Sequence, residues 1–150
     1  LTTNEDLIPE RSASFATGMT PKLRALLNRL LGARGERAAA RHLKRQGMRI
    51  LVRGYRTPLG EIDLIARDGD TLVFVEVKAR RQGVPAEAVT PEKERRLTLA
   101  ALHFLRRYNA LDVRSRFDIV AIVWPDDRRS PRIEHFAGAF DAVGRGQMFR

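Results

Sequence analysis

Residues 60–80 read GEIDLIARDGDTLVFVEVKAR, and the division of this stretch decides the fold. It predicts two β-strands joined by a tight turn. Along residues 61–68 the side chains alternate, with Glu61, Asp63 and Ile65 on one face and Ile62, Leu64 and Ala66 on the other. Asp68-Gly69 signals the turn, because a type I′ hairpin needs two residues that tolerate positive φ. The return strand, residues 71–78, places Val73, Val75 and Val77 on one face and Leu72, Phe74, Glu76 and Lys78 on the other. A two-residue loop sets odd positions of the first strand against even positions of the second. Asp63 then shares a face with Glu76 and Lys78. A three-residue loop, Asp68-Gly69-Asp70, would need a bulge to keep that match.

Two carboxylates and an amine on one face of an apolar hairpin are costly to bury without compensation. Like-charged carboxylates raise each other's pKa, and a divalent cation removes that penalty. Mg²⁺ prefers oxygen ligands and often takes only one or two protein carboxylates, with waters and phosphate oxygens completing its shell. The Lys78 ammonium beside such an ion could orient or help deprotonate an attacking water. The same three residues also fit an Asp/Glu–Lys salt bridge on a solvated sheet face, and spacing leaves both open.

Asp63, followed thirteen positions later by Glu76-Val77-Lys78, resembles the D…(D/E)xK signature of the PD-(D/E)xK nuclease superfamily. Restriction endonucleases and archaeal-type Holliday junction resolvases share that signature. Ile62 stands where the superfamily name has Pro. A wider ordered set consists of Gly35-Glu36 on an early helix, GEIDLI at 60–65, FVEVK at 74–78, Lys93 and Arg116-Phe117-Asp118. This set resembles the YraN-like family of bacterial proteins, over about residues 32–140. The resemblance implies an α/β, restriction-endonuclease-like fold, a central mixed β-sheet flanked by α-helices. It further implies a Mg²⁺-dependent (or Mn²⁺-dependent), structure-directed endonuclease, with DNA expected ahead of RNA. Asp63 and Glu76 would hold the metal, the Val77 carbonyl would be a further ligand, and Lys78 would handle the water. Glu36 would complete the acidic set, and Glu61 would support the ligands from the Asp63 face. The competing expectation is a nucleic-acid-binding or assembly protein that keeps the fold without catalysis. Intact Asp63, Glu76 and Lys78 favour the enzyme, since a pure binder has no need of uncompensated acids beside a phosphate path.

Composition agrees with a polyanion partner. Twenty-eight Lys and Arg oppose eighteen Asp and Glu, a formal charge of +10 with a pI of about 11.2. At 150 residues and 43% hydrophobic content, the chain can bury the core of one domain. It has no cysteine, which excludes disulfides and thiolate zinc sites. The longest apolar run, residues 119–124, is far too short to span a bilayer, so no membrane partner is expected and a cytoplasmic location is the default.

Residues 1–20 read as a flexible N-terminal extension and residues 21–150 as a single endonuclease-like domain. Pro21 suits the first turn of a helix whose leucines at 23, 26, 27, 30 and 31 form one apolar face. That face is either core cover or the contact of a homodimer. A second helix is expected over residues 35–45, with Ala39, Ala40 and Leu43 inward and Gly47 as its C′ cap. Glu36 also fits there simply as a first-turn acid. A strand over 48–55 and the turn Thr57-Pro58-Leu59-Gly60 lead into the hairpin. The loop ARRQGVPA, residues 79–86, offers Arg80 and Arg81 to phosphate. Thr90-Pro91-Glu92 starts a helix reaching about residue 108, with Leu97, Ala101, Leu105 and Tyr108 toward the core. Lys93 gains nothing from the dipole at a helix start, which points to a phosphate or active-site contact. Strands are expected over 116–124 and 132–136. Asp118 has Arg116 or Lys93 as a partner, and His135, with no second His at ligand spacing, is structural.

Overall fold

The computed structural model describes residues 20–80, 89–125 and 130–142. In order, the elements are α1 (Pro21–Arg45), β1 (Arg49–Thr57), β2 (Gly60–Asp68), β3 (Thr71–Arg80), α2 (Pro91–Arg107), β4 (Ser115–Val123) and β5 (Arg132–Phe140). The five strands form one sheet in the order β1-β2-β3-β4-β5. Only β3 and β4 run parallel; the other neighbours are antiparallel. Parallel neighbours require a crossover, and α2 is the helix in that connection. The result is an α/β fold, a mixed sheet with two helices, consistent with a restriction-endonuclease-like architecture. No helix among the described residues is long and apolar enough to cross a membrane.

The chain divides into two compact units, residues 1–30 and 31–150. In the first, residues 21–30 are helical and Leu23, Leu26 and Leu30 are exposed. The extension expected over residues 1–20 lies, but for Thr20, outside the described residues.

Within the second unit, each face of the sheet carries its own core. One face joins Ala38, Ala39, Ala40 and Leu43 of α1 to Leu64, Ala66, Val73, Val75, Val120 and Ile122. The other joins Leu97, Ala101, Phe104 and Leu105 of α2 to Ile65, Leu72, Phe74 and Phe117. Burial on both faces explains the near-continuous apolar run of β4.

Three expectations change. The two helices expected over residues 21–45 are one helix, because glycine is tolerated within it and Gly35 is where it meets the sheet. A Cβ at Gly35 would lie 2.6 Å from the Cβ of Ala79, so only glycine lets the backbone approach this closely. The helix ends as expected at Gly47, with φ +91°, in a Schellman motif: Gly47 N–H donates to the Lys44 carbonyl and Met48 N–H to that of Leu43. Tyr108 is 56% exposed rather than buried, since it caps α2 instead of extending its stripe. β5 runs to Phe140, four residues past expectation, where Phe140 stacks on Phe117.

The hairpin itself has a two-residue loop, Gly69-Asp70, with Asp68 opposite Thr71 and no bulge between β2 and β3. Gly69 has φ +57° and Asp70 is not in the left-handed region, a type II′ pattern rather than I′. Pairing of β2 with β3 runs only as far as Leu64↔Val75, while β3 continues along β4 to Arg80↔Val123. Beyond Leu64 the alternation of β2 fails: Ile62 packs with Ile65 on the α2 side, not with Leu64 and Ala66. The two strands therefore separate at Asp63, which places the site.

Candidate active site

Where β2 leaves β3, a ladder N–H would be left without a partner. Asp63 supplies one, its Oδ2 accepting from the Val77 N–H at 2.8 Å. The carboxylate thus stands in for a backbone carbonyl, which fixes its position beside Glu76. Glu76 is only 8% exposed, and its Oε2 is buried with no hydrogen-bond donor. The adjacent Asp63 carboxyl can satisfy that oxygen only by carrying a proton. Its other oxygen, Oε1, lies 3.3 Å from Lys93 Nζ at the start of α2.

Burial, then the charge of Asp63, pushes Glu76 up to about 7. Burial also raises Asp63, against the lowering effect of the Val77 N–H. Two acids that cannot both ionise easily in one dry place are a vacancy for positive charge. Lys93 fills part of it.

The structure brings together Asp63, Glu76 and Lys93, with Val77 held by its N–H. Lys78 follows Glu76 on β3, pairs with Ala121 of β4 and makes no ion pair among the described residues. The amine that meets Glu76 is therefore Lys93, not Lys78. Glu36 lies within electrostatic reach: burial raises its pKa first, then the charges of Asp63 and Glu61. No three His, Asp or Glu side chains among the described residues are close enough to share an ion, so Glu36 does not complete a three-acid cluster. Glu61 is half-exposed and bonded to Arg56 at 3.4 Å, and it too raises Asp63. Arg80 ends β3, its carbonyl accepting from Trp124 N–H at 3.0 Å, and Arg81 lies outside the described residues.

A hard oxygen-seeking cation fits this donor set. Two carboxylates meet in a buried place, one oxygen lacks a donor, and the raised pKa values record an unmet need for positive charge. Asp63 and Glu76 would hold the ion.

Sequence reasoning reached only the Asp118–Arg116 part of a second polar cluster, on the α1 side of the sheet. Asp118 is fully buried and accepts from Arg116 Nε at 3.0 Å, from Gly138 N–H at 3.0 Å and from a His135 Nε2 bond at 2.7 Å. Its partner is Arg116, as one alternative had it, and Arg116 also reaches Asp68 at 3.0 Å. Burial raises the Asp118 pKa less than these partners lower it, so it stays ionised. His135 is structural, as expected, yet a second imidazole is near: the His42 ring lies edge-on at 5.9 Å. Only packing of α1 beside β5 brings those histidines together.

The profile of the family described as "Uncharacterised protein family UPF0102" matches residues 35–122. The chain is 52% identical over 119 residues to a UPF0102 protein of Geobacter sulfurreducens, covering 76% of this chain and 91% of that protein. It is 48% identical over 118 residues to one of Anaeromyxobacter dehalogenans, covering 77% and 87%. For one of Rhodococcus opacus the identity is 51% over 116 residues, covering 75% and 98%. Glu36, Asp63, Glu76, Lys78 and Lys93 all fall within the matched span. On that match and those identities the chain belongs to the UPF0102 family, the YraN-like family that its GEIDLI and FVEVK motifs resemble.

Proposed function

We propose that this protein is a Mg²⁺- or Mn²⁺-dependent endonuclease that hydrolyses phosphodiester bonds in DNA of particular structure. The observation that carries this reading is the buried Asp63–Glu76 pair with its donorless Glu76 oxygen. A divalent cation held there would neutralise phosphate charge and make water a better nucleophile at neutral pH. Asp63 and Glu76 bind, with the Val77 carbonyl as a further oxygen donor. Lys78, on the Glu76 side of β3 by strand alternation, orients the attacking water. Lys93 offsets part of the charge of Glu76 before substrate arrives, and contacts phosphate afterwards. Glu36 and Glu61 add to the negative field that draws the cation in. Arg80, at the end of β3, and Arg81 serve as phosphate contacts. The net charge of +10 favours the polyanion.

One observation favours a second reading, a nucleic-acid-binding protein without catalysis. The Lys93–Glu76 ion pair already compensates part of the buried charge. A cleavage panel separates the two. Junction, flap, single-stranded and duplex DNA are incubated with the protein in Mg²⁺, Mn²⁺ or EDTA. The expected result is cleavage of at least one branched or single-stranded substrate, dependent on metal and absent in Asp63→Asn. Binding without cleavage of any substrate in either metal would favour the second reading.

A further inference from the structure

A groove leads away from Glu61 and Lys93, between α2 and the Thr57–Gly60 turn. Its first part has a volume of about 750 Å³, and a neighbouring part of about 480 Å³ shares Leu59 and Leu99 with it. The α2 wall is one face of the helix: positions 92, 96, 99, 103 and 106 recur at helical spacing, opposite the buried Leu97, Ala101 and Leu105. Lys93, Arg95, Arg96, Arg106 and Arg107 line it from α2 and Arg56 from β1, against the carboxylates of Glu61 and Glu92. The Arg56–Glu61 and Arg96–Glu92 pairs are exposed, so water already weakens them and a phosphate can displace the acid.

The floor is apolar. Leu99 lies along it with the buried Leu102 beneath, and Leu59, 52% exposed, stands at the turn tip. That tip is held firmly. Thr57 Oγ1 accepts from the N–H groups of Leu59 and Gly60 at 3.1 Å each and donates to the Gly60 carbonyl at 3.0 Å. Gly60 lies so close to α2 that an added Cβ would be 2.6 Å from the Arg96 carbonyl oxygen. Behind the groove, Tyr55 Oη and His103 Nδ1 are bonded at 2.8 Å, which ties β1 to the helix.

We propose that this groove carries one unpaired DNA strand away from the Asp63–Glu76 site, its phosphates on the arginine rim and its bases against Leu59 and Leu99. An apolar floor under a cationic rim suits a single strand, which exposes both base faces and phosphates; a duplex keeps its base faces stacked inside. From Lys93 to Arg107 the helix extends about 21 Å, room for several nucleotides. The inference rests on the reading of Asp63 and Glu76 as the cleaving site for its direction, but not for the binding itself.

The test measures binding in EDTA, where no cleavage occurs, by fluorescence anisotropy of a labelled oligothymidylate and of a duplex of equal length. Arg96→Glu with Arg106→Glu is expected to weaken single-strand binding on the order of tenfold and to reduce the salt slope by about 1.4. Leu59→Ser should weaken binding severalfold and leave the slope unchanged, because it removes an apolar contact and no charge. Arg132→Glu, on β5 at the opposite edge of the sheet, should do neither. Unchanged affinity in both groove variants, no binding by the wild type, or a duplex bound as tightly as the single strand would each overturn the proposal. If the groove variants behave as expected and no metal supports cleavage, the groove stands and the nuclease reading falls.

Discussion

Lys78→Met is expected to lower metal-supported cleavage by about two to four orders of magnitude, the usual contribution of a positioned acid–base group. Metal affinity and DNA affinity should stay near the wild-type values. The reasoning is positional. Lys78 follows Glu76 by two residues, so strand periodicity turns both to the same side of β3, and Lys78 makes no ion pair among the described residues. Lys93 already offsets part of the charge of Glu76. Removing the Lys78 amine therefore leaves the carboxylate pair and its charge compensation as they were. Single-turnover cleavage of the best substrate from the panel checks it, beside metal titration of the same variant. Cleavage at the wild-type rate would make Lys78 a solvated lysine with no part in the chemistry.

The second large effect is on stability, and it follows from the raised carboxyl of Glu76. Its pKa is pushed from 4.5 to about 7, first by burial and then by Asp63. Between those values the folded, metal-free protein holds a proton that the unfolded chain has released. Stability from this group is therefore full below about 4.5 and is lost as pH rises through 7. The loss between pH 5 and pH 8 should be on the order of 3 kcal/mol. His42 acts the other way, since burial and then His135 lower its pKa, so that acid destabilises the fold below its ordinary 6.5. Comparison with Glu76→Gln cancels that contribution. Urea unfolding in EDTA should show a wild type that weakens with pH and a variant that does so much less. Parallel pH profiles would mean that Glu76 is ionised in the folded protein and needs no cation.

Much of this was legible in residues 60–80. Period two placed Val73, Val75 and Val77 together, with Leu72 and Phe74 on the opposite face, and the two-residue loop set the register that brings Asp63 beside Glu76. The failure of alternation at Ile62 was not legible, because it arises where β2 leaves β3, which continues along β4. Nor was the Lys93–Glu76 contact: a helix start carries no mark of which strand end it will face. Lys93 stood out because a cation at a helix N-terminus gains nothing there and because it belongs to the motif set that resembles the YraN-like family. In α1, a second helix was expected to begin at residue 35; Gly35 instead lies within one helix and marks its contact with Ala79. The His42–His135–Asp118 cluster draws on three elements far apart in the chain, and its parts show no spacing rule.

The central claim is that Asp63 and Glu76 form a cation-holding pair whose mutual repulsion destabilises the metal-free protein. Thermal melting of wild type and Asp63→Asn, in EDTA and then in Mg²⁺ or Mn²⁺ at neutral pH, tests it without knowledge of the substrate. The Asn side chain can still accept from the Val77 N–H, so the hydrogen bond at 2.8 Å survives while the charge is lost. The account predicts that the variant melts higher than wild type in EDTA. It also predicts that metal at a hundredfold excess over its dissociation constant stabilises wild type by about 2.7 kcal/mol and the variant much less. A variant that melts lower in EDTA and responds to metal as wild type does would make Asp63 a structural acid, and the account would be wrong.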